Sequence, residues 1–344
     1  MRTKSTIAAA AVLFVGLGAS SVPASAAEQW SMATPWGGGP LLEYTAKGIA
    51  QEIEFLTNGE IKVEVFPGGT LGKALKVTDT VRKGVAEISH NWAGYDWGVD
   101  RTGVLFGGFA GTMEHEKMIH WMFRGGGADL LMEWRLAKFD IASIPCGSAP
   151  PEVFMHSHKR VASLADYEGM KVRTSGAWAE IAQTLGASTV ILPGAEVYPA
   201  LERKVVDGIE WGTPWMNESA GYEKIAKYII VPGIHQPTAF HECQINKAIW
   251  DKLSDRNKTL LRRAGERMTF NFWMEIGHQD APSFQNFLKG GNEVVDLDAD
   301  FIAKAKTATD EWAAKQASEN EWFARVWKSQ QDYAATWSEA HRYR

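Results

Sequence analysis

The sequence predicts an α/β fold in two lobes, and three observations carry that prediction. Between Lys171 and Asn217 strand-like and helix-like segments alternate, with glycine at or near each turn. Once an amino-terminal leader is set aside, about 318 residues remain, more than one hydrophobic core ordinarily serves. From Ala248 onward the chain reads mostly as helix. Strands alternating with helices of about ten residues argue for βαβ units on a parallel sheet.

The leader comes first. Met1-Arg2-Thr3-Lys4 is a basic tip, Ile7–Gly18 is apolar, and Ala24-Ser25-Ala26 supplies a small-residue cleavage site. That order reads as a secretory signal peptide cleaved near Ala26, so residues 1–26 are excluded from fold reasoning and the mature protein is expected to be exported. The apolar run falls well short of the roughly 20 residues that span a bilayer. A net charge of -5 gives no basic footprint for nucleic acid. Fifteen tryptophans suit stacking walls or large interfaces, although many must be plain packing. Cys146 and Cys243 fall in strand-like segments, and their number and spacing leave a bridge between them open.

Glu28–Thr34 reads as the first strand, followed by the turn Pro35-Trp36-Gly37-Gly38-Gly39-Pro40 and a helix over Leu41–Leu56. Ile61–Phe66 alternates as a second strand. A helix over Lys73–Lys83 leads to a third strand, Val85–Ser89, with His90-Asn91-Trp92 at its carboxyl end. Two helices, Glu114–Phe123 and Ala128–Lys138, flank Gly125-Gly126-Gly127, which lacks both the Lys-Ser/Thr and the preceding strand of a phosphate loop. His115 and His120 have no partner at metal-ligand spacing and read as packing or surface residues. Asp140–Cys146 and Val153–Ser157 look like strands around a Pro-rich interruption, a candidate crossing between lobes.

The Lys171–Asn217 unit follows: strand, helix Trp178–Leu185, strand Thr189–Leu192, a helical Glu196–Glu202 phrase, and a final strand at Ile209-Glu210-Trp211. In parallel sheets ligands sit beyond the carboxyl ends of the strands. Arg173 and Glu210-Trp211 stand at two such ends, bringing an anion clamp, a carboxylate and an aromatic wall to one crevice. The blander account is a solvated charge and a packed indole. On either account a strand-end charge such as Arg173 is expected to support little core. Tyr222–Tyr228 reads as helix, and His235-Gln236-Pro237 before the Phe240–Ile245 strand is a second candidate crossing. Asp255–Lys289 carries apolar residues at helical spacing with a break expected near Pro282, and Asp298 caps a last helical stretch whose tryptophans 312, 322, 327 and 337 cover the protein's own core.

No G-x-S-x-G elbow, H-E-x-x-H, C-x-x-C or Walker loop occurs. Carboxylates do gather at strand ends. Glu152, Glu210 and Glu242 near one cleft would offer oxygen ligands to Ca²⁺ or Na⁺, the alternative being separate surface charges.

Three phrases together resemble one family: Gly169-Met170-Lys171-Val172-Arg173, then Leu192-Pro193-Gly194-Ala195-Glu196-Val197-Tyr198-Pro199-Ala200-Leu201-Glu202, then Val206-Asp207-Gly208-Ile209-Glu210-Trp211. They resemble the extracytoplasmic solute receptors of TRAP (tripartite ATP-independent periplasmic) transporters. The Gly221–Ile230 run looks like the subgroup that binds 2-oxo and 2-hydroxy monocarboxylates, and the likeness covers essentially the whole mature chain.

The resemblance implies a two-lobe periplasmic binding protein fold with crossing strands and long C-terminal helices. Residues 27–147 with 237–275 would form one lobe, and residues 148–236 with 276–344 the other. It implies that Arg173 grips the ligand carboxylate with its planar fork. Glu210 and Trp211 would form a cation site that touches the ligand, joined by Glu242 and by Glu152, which stands where the family has Gln. The extra negative charge favours Ca²⁺ over Na⁺. Trp36, Asn91, Trp92, Trp211 and Phe240 would complete the ligand site. The expected protein is a periplasmic receptor that hands a small organic acid to TRAP membrane subunits, with a homodimer as a minor reading. The competing class is a periplasmic lyase or hydrolase using Glu210 as base.

Overall fold

The computed structural model describes residues 27–340; the leader read at residues 1–26 lies outside them. Eleven strands run in chain order: β1 (Glu28–Ala33), β2 (Ile61–Phe66), β3 (Ile88–Trp92), β4 (Ile141–Ala149), β5 (Met155–Ser157), β6 (Lys171–Arg173), β7 (Ser188–Val190), β8 (Gly208–Ile209), β9 (Tyr228–Val231), β10 (Ala239–Asn246) and β11 (Glu293–Asp296). They form two sheets, a five-stranded one in the order β2-β1-β3-β10-β4 and a six-stranded one in the order β11-β9-β5-β8-β6-β7. The α/β expectation holds.

Among the described residues all five strand pairs that do not involve β5 or β10 are parallel, as helical crossovers require. The exceptions share a cause. β10 is antiparallel to both β3 and β4, and β5 to both β8 and β9. Each directly follows one of the short connections between the sheets, with no helix to turn the chain round, and it runs against its neighbours. Two short connections, 150–154 and 232–238, carry the chain between the sheets. A backbone bond from Glu152 to the Gln236 carbonyl holds them side by side, and one from Val153 to the Gly212 carbonyl ties the first to the segment after β8. Gly233 is required at this junction, because a Cβ there would lie 1.9 Å from the Glu152 carbonyl oxygen.

The helix Asp255–Lys289 spans both sheets. Ser254 caps it by accepting from the Asn257 amide at 3.1 Å. Leu261, Ala264, Phe272 and Ile276 join the core beneath the first sheet, whereas Phe287 packs with Val153 and Ile229 of the second. Gly265 lets the helix cross β4 closely; an added Cβ would sit 2.3 Å from the Pro145 carbonyl oxygen. The expected break at Pro282 does not occur, and the helix runs through it. Asp298 caps Ala299–Glu319 as expected, and Glu321–Ala340 folds back against the helices His115–Arg124 and Gly127–Phe139. Trp312 is buried, Trp322 and Trp327 pack on the core, and Trp337 lies against His120 with ring centroids 4.7 Å apart, so all four tail tryptophans named above pack on the protein itself.

Several local expectations shift. The third strand begins three residues late and takes in His90, Asn91 and Trp92. Residues Tyr222–Lys224 make only one short turn before β9 begins, and Gly103–Gly107 is an additional short helix. The glycine- and proline-rich stretch after Cys146 stays in β4 as far as Ala149. Cys146 and Cys243, whose Cα atoms are 5.7 Å apart on neighbouring strands, are joined by a disulfide.

Candidate functional site

One cleft between the sheets gathers the charged strand ends. Its walls include Trp36, Trp92, Tyr95, Glu152, Arg173, Ser175, Glu210, Trp211, His235 and His241, around about 490 Å³ of space that is partly open to solvent. Arg173 is the last residue of β6, and Glu210-Trp211 directly follows β8. Because β6 and β8 are parallel neighbours, both ends face the same crevice.

Arg173 is 1 % exposed. Its Nη1 donates to the Glu210 carbonyl at 2.8 Å and to Glu210 Oε1 at 3.2 Å, while Nη2 and Nε donate to the Leu192 carbonyl at 2.9 and 3.3 Å. The guanidinium also lies 5.4 Å from the Trp211 ring centroid. It therefore ties three segments of the second sheet together, contrary to the expectation that a strand-end charge supports little structure. Its side chain also hydrogen-bonds the Tyr95 hydroxyl, so in this closed arrangement the guanidinium's donors are directed to protein groups that line the cleft.

Glu152, Glu210 and His235 form the second half of the site. His235 Nε2 lies 3.3 Å from Glu152 Oε2 and 3.8 Å from Glu210 Oε2. One ligand atom from each of the three residues lies within 4.8 Å of the others. Burial pushes the Glu152 carboxyl up to about 7, with the Glu210 charge adding to the shift and His235 opposing it. Burial also pushes Glu210 up, but the His235 hydrogen bond and the Arg173 charge outweigh it and hold that carboxyl below its usual range. His235 loses basicity to burial and regains more from the two carboxylates, reaching about 9. Tyr95 rises to about 12, chiefly through burial, with the nearby Arg173 charge pulling the other way.

Two carboxylates this close suit a hard cation, whose preferred ligands are oxygens. The imidazole does not, and while protonated it sits among the carboxylates as their internal counter-charge.

Three residues expected at the site are elsewhere. Successive side chains on a strand point to opposite faces. On β10, Ala239 and His241 face the cleft, so Phe240 and Glu242 face away. Phe240 packs near Phe123, with ring centroids 6.3 Å apart. Glu242 is thus not a partner of Glu152 and Glu210. Its carboxylate bonds to Arg135 on both oxygens and accepts from Ser143 Oγ at 2.6 Å and Gln244 Nε2 at 3.0 Å, all buried. On β3, His90 and Trp92 share one face and Asn91 takes the other, where it pairs in register with Glu242 and approaches Thr78 Oγ1 at 3.5 Å. His235, Tyr95, Ser175 and His241 were missed. Only His235 carried a usable signal, since it sits in the second crossing.

Residues 31–320 match the family described as bacterial extracellular solute-binding protein, family 7, named DctP. The chain belongs to this family. Among curated relatives, this family 7 protein is 25% identical over 297 residues to a monocarboxylate 2-oxoacid-binding periplasmic protein of a Nostoc species, covering 85% of this chain and 80% of that one. Its fold matches a TRAP transporter solute-binding protein of Bordetella bronchiseptica, solved with copurified calcium and picolinate, at a TM-score of 0.86 and 22% identity over 92% of this chain and 95% of that one. A TRAP solute-binding protein of Pseudoalteromonas atlantica with sodium and pyruvate matches at 0.86 and 23% identity, over 92% and 97% of the two chains. At such identities these structures speak for the fold. Among the described residues of the family 7 protein, no helix is long and apolar enough to cross a membrane.

Proposed function

We propose that this family 7 protein is a periplasmic receptor that closes two lobes on a small organic acid, a 2-oxo or 2-hydroxy monocarboxylate, and delivers it to TRAP membrane subunits. The observation that carries this reading is a buried guanidinium, Arg173, in the lining of the cleft beside an aromatic wall. A carboxylate leaves water only when it is paired and hydrogen-bonded. The Nostoc relative and the pyruvate-bound neighbour support the acid class. The calcium and sodium in neighbouring structures support a cation beside the ligand. Here Glu152 and Glu210, with Trp211, would hold it. A bound cation would supply positive charge against which the acid's oxygens rest, and His235 would give up its proton or its place. The lobes are proposed to follow the two sheets, with the boundaries given above except that Glu321–Ala340 goes with the helices of the first lobe on which it packs, and a homodimer remains a proposal.

The competing enzyme reading assigns Glu210 as a base. Its carboxyl, held low by His235 and Arg173, is ionised and weakly basic, which disfavours that role. A thermal-shift screen of small organic acids with and without chelator tests the proposal, because a ligand raises apparent stability by mass action. An acid such as pyruvate should raise the midpoint, the shift should shrink after thorough metal removal, and Ca²⁺ should restore it. Recovery of the acid chemically altered, or no response to any small acid, would overturn the receptor reading; a response indifferent to chelator would remove the cation.

A further inference from the structure

The first-sheet wall of the cleft contains a connected set of aromatic nitrogens outside the charged cluster. Trp36, His90 and His241 are 2 %, 0 % and 4 % exposed. Trp36 Nε1 lies 2.8 Å from His90 Nδ1. The indole nitrogen is only ever a donor, so His90 Nδ1 accepts. Neutral His90 then carries its proton on Nε2. Burial, reinforced by His241, lowers the basicity of His90 well below the ordinary value, and burial takes His241 down to about 3. Burial therefore favours the neutral form of both rings.

The two rings stack with centroids 5.3 Å apart and planes inclined by 25°. His90 Nε2 and His241 Nδ1 are both buried without a protein partner. They converge on one place: a Cβ added to Gly147 would lie 3.6 Å from the first and 3.3 Å from the second. The stacked rings make no hydrogen bond to each other, but a second buried N–H beside the His90 Nε2 donor would be repelled by it and left unsatisfied, so His241 Nδ1 is the nitrogen without the proton. His241 must then hold its proton on Nε2, the ring nitrogen left on the cleft side. Trp36 and Phe272 flank the His241 ring, at 5.6 and 6.2 Å between centroids, and restrict its rotation.

We propose that His241 is a specificity-determining residue of the ligand site. Trp36 and His90 position it in the tautomer whose Nε2–H faces the cleft, so that it donates to an acceptor oxygen at C2 of a 2-oxo acid. Arg173 would take the carboxylate from the opposite sheet. Such a wall favours an oxygen at C2 over a methylene, which wastes the donor, and over an ammonium, which brings donor against donor. The proposal rests on the receptor reading above for the ligand, but the tautomers do not.

The test has two arms. In the first, ¹⁵N-histidine spectra of the free protein report which ring nitrogen is protonated. His90 and His241 should both be protonated on Nε2, and Trp36→Phe should release His90 into a mixture of tautomers. Gly147→Ala, at a position without positive φ, should disturb the His241 tautomer while leaving both rings in place. In the second, calorimetry compares pyruvate, propionate and L-alanine. Wild type should prefer pyruvate, and His241→Phe should weaken pyruvate by about tenfold, the worth of one buried hydrogen bond, with little change for propionate. A His241 protonated on Nδ1, or an equal loss for pyruvate and propionate, would overturn the proposal. Failure of wild type to bind pyruvate at all would sink the 2-oxo acid reading and the acceptor role with it, a result distinct from a wrong tautomer.

Discussion

Replacing Arg173 by alanine separates binding from architecture, because this side chain serves both. In the free protein it holds the Leu192 and Glu210 carbonyls and one oxygen of the Glu210 carboxylate. Arg173→Ala leaves Glu210 buried beside Glu152 with only His235 to balance the two carboxylates. Stripping one partner from a buried pair costs about 3–5 kcal/mol. Urea unfolding of the apo protein should show a loss of that order. Binding should suffer separately. Truncating one member of a buried charge pair between partners costs about 2–5 kcal/mol, or roughly 30- to several-thousand-fold in affinity. Arg173→Lys keeps a charge for Glu210 but has no fork, so it should recover part of both losses. Calorimetry is run with pyruvate, or with whichever acid gives the largest thermal shift, at a temperature where unfolding curves show each variant folded. A folded Arg173→Ala protein that binds with near-wild-type affinity would refute the anchor role.

Two further outcomes follow from groups away from that anchor. Arg101, in the loop after β3, pairs with Glu180 at 2.6 Å, and Glu180 also accepts from Trp312 Nε1 at 2.7 Å. The pair is partly exposed, so Arg101→Ala should cost about 0.2–1 kcal/mol of closed state. Small-angle scattering should show a slightly more open apo particle and calorimetry a few-fold weaker binding; identical profiles would count against a latch. Separately, burial depresses His156 and His241 to about 3 and His115 to about 4, from an ordinary 6.5. Between those values the unfolded chain binds protons that the native one does not, so the contribution of these histidines to stability falls as pH drops from 6.5 toward 3. His156→Phe should flatten this acid limb, and an unchanged slope would show that His156 is not responsible.

The parts of the site that were legible in the sequence are those where backbone topology alone sets direction. Arg173, Glu210 and Trp211 end strands of one βαβ unit, and the carboxyl-end rule needs no side-chain knowledge. The misassigned residues lie where a one-residue phase decides the face. With the third strand read as ending at Ser89, nothing distinguished Asn91 from its neighbours; with it running to Trp92, alternation sends Asn91 to the buried face away from the cleft. Glu242 looked available because it is a carboxylate on a crossing strand. Its true partner, Arg135, comes from a helix more than a hundred residues earlier, a pairing that only the packed structure reveals. His235 was passed over for the converse reason, being a lone histidine in a loop whose partners arrive from two other segments.

The helix that runs unbroken through Pro282 has a mechanical consequence. Its apolar contacts with the first sheet's core end at Ile276 and those with the second resume at Phe287, with Asp280 between them accepting from the Trp215 amide at 2.9 Å. Gly277 and Pro282 lie in the span between. Proline cannot donate to the carbonyl four residues back, here that of His278, and glycine adds backbone freedom. The rod is thus clamped at both ends and has its lowest flexural stiffness in the middle. Any rotation of one sheet against the other loads this element as a leaf spring, concentrating the bend in about a turn and a half of helix.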